Sequence, residues 1–151
     1  MSTSVASPSP ATAFVKQSRV IRASRQDVYD AWAKAEILKK WFGPAGCVCT
    51  LAETDTRVGG IFRFACEMPG ASHSVMVEGV YTEVVPGERL QRTGTHSANP
   101  GDHALLTVTF RDVEGGTEVT VLHEKLPCDN AHLYDAAWKL TLDKLVALLD
   151  A

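Results

Sequence analysis

His123 and Tyr81 are the side chains in this sequence best placed to do chemistry. His123 follows Val119 and Val121 at strand spacing, so the three share one face. An imidazole among aliphatic neighbours can orient a ligand carbonyl or phenol, or act as an acid or base near neutral pH. It can equally be a hydrogen-bonded histidine of the core or its rim. Tyr81 shares a face with Val75, Val77 and Gly79. Its hydroxyl can serve a ligand, or the residue can be an ordinary half-buried tyrosine. Glu124 directly follows His123 and points to the opposite face, which argues against a His–Glu dyad. No nucleophile, base and oxyanion site assembles, so no catalytic residue is assigned; His123 and Tyr81 remain candidates.

The other reactive side chains are scattered. Cys47 and Cys49 are one residue apart in a strand-like run, so their thiols point the same way. With Cys66 and Cys128 they form neither a C-x-x-C pair nor a set with zinc-ligand spacing. They read as core or surface thiols of a reducing compartment. His73, His96, His103 and His132 lie in loops or at a helix start, and His96 and His103 bracket a Pro-Gly loop without acids. No metal site is expected. Ser72, Ser74 and Ser97 lack a nucleophile elbow. Gly59-Gly60 lacks the context of a phosphate loop, so no cofactor is expected.

The elements that must position these groups follow from periodicity and turn residues. Phe14–Arg22 reads as a first strand. Ser24 suits a helix N-cap with Asp27 in the acidic capping position, and Val28, Trp32 and Ala35 fall on one helical face. A second short turn carries Ile37, Leu38, Trp41 and Phe42, and Gly43-Pro44 ends it. Strands follow over 47–53, 61–66, 74–85, 89–95, 105–113 and 117–124. Turn signals separate them at Gly59-Gly60, Pro69-Gly70, Pro86-Gly87, Asn99-Pro100-Gly101 and Glu114-Gly115-Gly116. Gly79, inside a strand, marks a bend or bulge. Asp129 or Asn130 caps a last helix running to about Leu149. Its stripe is Tyr134, Trp138, Leu142, Leu145 and Leu149, widened by Leu133, Ala137, Leu140 and Leu148. Asp135, Lys139 and Asp143 lie opposite, to pair weakly in water. Short turns between successive strands make an antiparallel sheet, and helices set apart from the strands give an α+β class.

At 151 residues, 45% apolar and 22% charged, the chain suits one domain over residues 14–151 behind a disordered tail over 1–13. A net charge of −3 and no basic cluster denser than Lys39-Lys40 exclude a nucleic-acid surface. Nothing approaches a membrane span, and the first residues do not form a secretory signal, so a cytoplasmic protein is expected.

The chain resembles the bacterial activator of heat-shock-protein-90 ATPase homologue-like proteins, a branch of the SRPBCC (START and birch-pollen-allergen-like) superfamily. The resemblance is carried in order by Arg19–Ala23 with Val28–Trp32, Leu38–Pro44, Asp55–Gly60, Phe62–Phe64, Glu78–Tyr81, Val85–Leu90, Gly116–Val121 and Trp138 with Leu142 and Leu145. It implies a helix-grip fold: a curved antiparallel sheet of six or seven strands around a long C-terminal helix, with a cavity between them that takes apolar molecules. One departure is Ala137, where such proteins commonly carry glycine; its methyl would face that cavity.

Strand and helix faces then nominate a lining of Trp41, Phe62, Phe64, Val77, Tyr81, Leu106, Val108, Phe110, Val121, His123, Trp138, Leu142 and Leu145. The same residues can simply fill a core; the resemblance favours a pocket. Three functions compete. The first is binding of a small apolar or aromatic molecule, such as a lipid or polyketide-like compound. The second is a cyclase- or hydrolase-type enzyme using His123 and Tyr81. The third is chaperone contact or another protein-interaction role.

Overall fold

The computed structural model describes residues 12–43, 47–67, 75–96, 99–127 and 131–150. Strand β1 (Thr12–Ile21) leads into helices α1 (Arg25–Ala33) and α2 (Ala35–Trp41). Six strands follow: β2 (Val48–Thr54), β3 (Ile61–Glu67), β4 (Val75–Val85), β5 (Arg89–His96), β6 (Asn99–Val113) and β7 (Gly116–Pro127). Helix α3 (Ala131–Leu149) closes the chain.

The strands form one antiparallel sheet in the order β1-β7-β6-β5-β4-β3-β2, curled into a half-barrel with α3 against it. β2 to β7 run as a meander, and β1 returns to pair with β7. The first connection therefore crosses the whole width of the sheet, and α1 and α2 are that crossing. The fold is the α+β helix grip expected from the sequence. Register shifts fall in β1 between Ala13 and Val15, in β2 between Cys49 and Leu51, in β4 between Tyr81 and Glu83, and in β5 between Gly94 and His96. Such irregularities bend a strand and raise its twist.

Local chemistry explains the boundaries. Ser24 Oγ accepts the Asp27 amide at 3.1 Å and caps α1. One extended residue, Lys34, ends α1 and starts α2. Ala35 therefore opens the second helix, while Val28 and Trp32 are fully buried on the first. Gly79 sits in no bulge; it pairs directly with Gly94. A Cβ at Gly79 would run into the carbonyl oxygen of Thr93, so the glycine permits close approach of β4 and β5. Asn99-Pro100-Gly101, expected as loop, begins β6, where Asn99 pairs with His96. Proline's missing amide is tolerated at a strand start.

Helix α3 buries Trp138, Thr141, Leu142 and Leu145, but Leu133, Leu140 and Leu148 are exposed. Polar ties set that rotation. Gln17 Nε2 of β1 donates to Asp135 at 2.6 Å and Arg19 Nε to Asp143 at 3.3 Å. On the other flank Lys144 Nζ donates to the carbonyls of Gly43 and Cys47 at 3.1 and 3.2 Å. The acidic flank expected to face water is thus clasped to the sheet edge.

Candidate functional site

Of the residues nominated from the sequence, Trp41, Phe62, Phe64, Tyr81, Leu106, Val108, Phe110, Val121, Trp138, Leu142 and Leu145 are buried in one core to which strands, α2 and α3 all contribute; Val77 and His123 are partly buried. Cross-strand register explains the grouping, since Phe64 pairs with Val77, Leu106 with His123 and Val108 with Val121. Phe110 stands apart from the other aromatics and packs edge-on against Tyr29 of α1, with centroids 5.5 Å apart.

The remaining aromatics form a continuous chain of rings. Tyr81 meets Phe62 at 5.6 Å, Phe62 meets Phe64 at 5.2 Å, and Phe64 meets Phe42 at 4.9 Å. Trp41 lies 5.9 Å from Phe42 and 4.8 Å from Trp32. Trp32 stacks on Trp138 of α3 at 5.9 Å, and Trp138 meets His123 edge-on at 5.9 Å. Each such pair contributes about 0.5–1.5 kcal/mol beyond area burial. The chain runs from β4 to α3 and fastens α1 between sheet and helix.

Four polar features punctuate this apolar wall. The first is a hydroxyl relay whose polarity is set from its far end. Thr56 Oγ1 donates to the Ala33 carbonyl at 2.8 Å, which uses its only hydrogen. It must therefore accept from Thr54, 2.9 Å away, and Thr54 must accept from the Tyr81 hydroxyl at 2.7 Å. The Tyr81 proton is committed to Thr54, which leaves only oxygen lone pairs for another partner.

That partner is Arg92, which the sequence reading passed over. Arg92 is 5% exposed. Its guanidinium lies 4.5 Å from the Phe62 ring centroid and 5.1 Å from that of Phe64. Burial works against its charge, and the Tyr81 hydroxyl opposes that effect. No carboxylate pairs with it among the described residues. Taking a cation out of water costs several kcal/mol, and each ring returns about 0.5–2 kcal/mol. The signal was present in sequence: Arg92 alternates with Leu90 and Gly94, so it shares the inward face.

The third feature is the Trp32 indole. Trp32 is fully buried and its Nε1 has no hydrogen-bond acceptor among the described residues. By contrast, Trp41 Nε1 donates to the Ala31 carbonyl at 3.0 Å. The fourth is His123, whose Nδ1 accepts from Trp138 Nε1 at 3.0 Å. Indole only donates, so this imidazole carries its hydrogen on Nε2 when neutral. Glu124 lies on the opposite strand face, as alternation requires. Ala137 is partly buried on the flank of α3, where its carbonyl accepts from Thr141 Oγ1 at 2.7 Å.

Cys49 and Cys66 sit opposite each other on β2 and β3 and share a hydrogen bond. That bond, with Lys39 and Lys144 nearby, outweighs burial and lowers Cys49 from the ordinary 9.0 to about 7. The same bond and burial push the Cys66 thiol up. Among the described residues no group of His, Cys, Asp and Glu could hold a metal. His96 and His103 belong to β5 and β6 by backbone, and His132 is exposed at the start of α3. Ser72, His73, Ser74, Ser97 and Cys128 lie outside the described residues.

A separate open groove of about 570 Å³ is lined by Arg25, Glu88, Arg89, Thr109, Arg111, Asp112 and Glu118 among others. Its charges are matched internally: Arg111 pairs with Glu118 at 2.7 Å and Arg25 with Asp112 at 3.7 Å. That pairing leaves little net field for a charged ligand.

A family model described as activator of Hsp90 ATPase homolog 1-like protein matches residues 22–150. Solved structures with the same fold include protein CV1439 from Chromobacterium violaceum, 28% identical, with a TM-score of 0.82 over 92% of this chain and 99% of that one. The AHSA1 (SPO3351) protein from Silicibacter pomeroyi is 20% identical, with a TM-score of 0.79 over 91% and 97%. Protein NE0264 from Nitrosomonas europaea is 22% identical, with a TM-score of 0.78 over 90% and 93%. No functionally curated protein matches the chain.

Proposed function

The chain belongs to the activator of Hsp90 ATPase homolog 1-like family, and from that premise we propose that it binds a small apolar or aromatic molecule between the curled sheet and α3. The single observation behind this reading is the Trp32 N–H. Among the described residues it is a fully buried donor without an acceptor, set between Trp41 and Trp138. Leaving such a donor unsatisfied costs about 1–3 kcal/mol. A ligand carbonyl, ether or phenol oxygen entering the ring chain would satisfy it. Small-molecule sites commonly combine apolar walls with a few convergent polar groups.

The protein's only three tryptophans, Trp32, Trp41 and Trp138, all belong to the ring chain, so intrinsic fluorescence reports on the proposed site. Titration with fatty acids, flavonoids and polyketide-like aromatics is expected to give a saturable change in emission and a higher melting temperature. The Trp32→Phe variant keeps the ring and removes the donor; it should weaken oxygen-bearing ligands more than hydrocarbons of similar shape. A flat fluorescence and melting response across the whole panel would mean that the interior is a filled core, and the reading would fall.

A further inference from the structure

Arg92 projects from a central strand onto the concave face, in a row that register defines. Tyr81 of β4 pairs with Arg92, Arg92 with Leu106 of β6, and Leu106 with His123 of β7. The next row along the strands is built from small residues: Gly79 pairs with Gly94, and Gly94 with Ala104. Phe62 is the ring that leans over this row, its Cζ only 3.1 Å from where a Gly94 Cβ would stand. The guanidinium rests on Phe62 and Phe64 on one side and meets the lone pairs of Tyr81 on another. No carboxylate of the described residues neutralises it.

We propose that Arg92 is the anchor for an anionic head group, and that the molecule held in the interior is an amphipathic monocarboxylate with an aliphatic or aromatic body. This inference rests on the interior binding site proposed above and names its ligand class. Three arguments carry it. A guanidinium has five donors in a planar fork that matches a carboxylate in two parallel bonds, and the Tyr81 hydroxyl is a neutral acceptor that leaves its charge uncompensated. A buried cation is ordinarily paired, and among the described residues no carboxylate supplies the counter-charge. Phe62 and Phe64, which fix the guanidinium plane, continue into the ring chain that would hold the body of the ligand. The hydroxyl relay through Thr54 and Thr56 fixes Tyr81 as an acceptor, so Arg92 is held in place by a group that does not compete for the anion.

The test is titration calorimetry of the full chain with naphthoate and decanoate, each against its neutral primary amide, with inorganic phosphate as a bare anion. The wild-type protein is expected to bind each acid at least about tenfold more tightly than the matched amide. Phosphate, which lacks an apolar body, should bind far more weakly. Arg92→Met should lose the preference for acids over their amides. Arg92→Lys, which keeps charge without the fork, should show a reduced preference. Circular dichroism checks the fold of each variant. The Arg92 Nε–H resonance of the wild-type protein should shift with acid and stay put with amide, a readout that needs no variant to fold. Equal affinity for acid and amide would overturn the role of Arg92 while leaving the interior site standing, as would an unchanged preference in Arg92→Met. Phosphate binding as tight as naphthoate would overturn the amphipathic ligand class. Failure of acids and amides alike would overturn the interior site itself, and this inference with it.

Discussion

Trp138 of α3 donates its indole hydrogen to Nδ1 of His123 on β7 at 3.0 Å. The two residues also meet ring edge to ring face, at 5.9 Å between centroids. This directional bond ties α3 to β7 and fixes which tautomer the neutral imidazole adopts. At neutral pH, long-range nitrogen–proton spectra should show His123 with its hydrogen on Nε2. Trp138→Phe keeps most of the packing and removes the donor, and should cost about 0.5–1.5 kcal/mol in a urea melt. A hydrogen on Nδ1 would contradict the bond.

The Tyr81 relay makes a prediction about coupling. Tyr81→Phe removes the donor to Thr54 and the oxygen that faces Arg92, and is expected to destabilise by about 1–3 kcal/mol. Thr54→Val breaks the relay one step further along. The two changes together should cost less than the sum of each alone, because they break the same chain. Strict additivity in a double-mutant cycle would show that the hydroxyls act separately.

Cys49 and Cys66 should titrate as a pair, with the first proton leaving near pH 7 and the second leaving far later. Thiolate absorbance in the ultraviolet should show one step near neutrality that is lost in Cys49→Ser and moves up in Cys66→Ala. The effect on stability has a definite sign. Cys49 lies below its ordinary 9.0, so its contribution is complete above about pH 9 and is lost as pH falls through about 7. The wild-type urea midpoint should therefore rise from pH 7 towards 9 relative to Cys49→Ser.

Two carboxylates hold α3 and its end to the first strand region. The hydrogen bond from Gln17 holds Asp135 below its ordinary 3.8, aided by Lys139. The Arg22 guanidinium and amide do the same for Asp150, at 2.9 and 2.8 Å. Their stabilisation is present above the unfolded value of 3.8 and is lost as pH falls through the lower folded values. Asp135→Asn and Asp150→Asn should lower stability at neutral pH and flatten the acid limb of a stability–pH curve, so that variant and wild type converge as pH falls. An unaltered acid limb in both would remove these groups from the account.

Gly79 tests how closely β4 and β5 approach. Gly79→Ala places a methyl against the Thr93 carbonyl and should cost about 1–3 kcal/mol, with amide shifts confined to β4 and β5. A neutral substitution would mean that the strands separate freely at this point.

The amino-acid sequence determined the elements and most of the inward set. Strand alternation alone puts Leu106, Val108 and Phe110 on one face, and the four- and three-residue recurrence of Trp138, Leu142 and Leu145 defines the buried stripe of α3, because both patterns are local consequences of backbone geometry. Ser24 as a cap and Gly115 as a hairpin turn, with φ of +90°, are equally local. What remained for tertiary structure was every relationship between distant residues. β1 pairs with β7 rather than with β2, and no periodicity in either strand encodes that choice. The rotation of α3 depends on Gln17 and Arg19 reaching Asp135 and Asp143 from the other end of the chain. Arg92 was placed inward by alternation, yet a charge on that face becomes intelligible only once Phe62, Phe64 and Tyr81 surround it, because the free energy of a buried charge is set by its neighbours in space and not by its position in the chain.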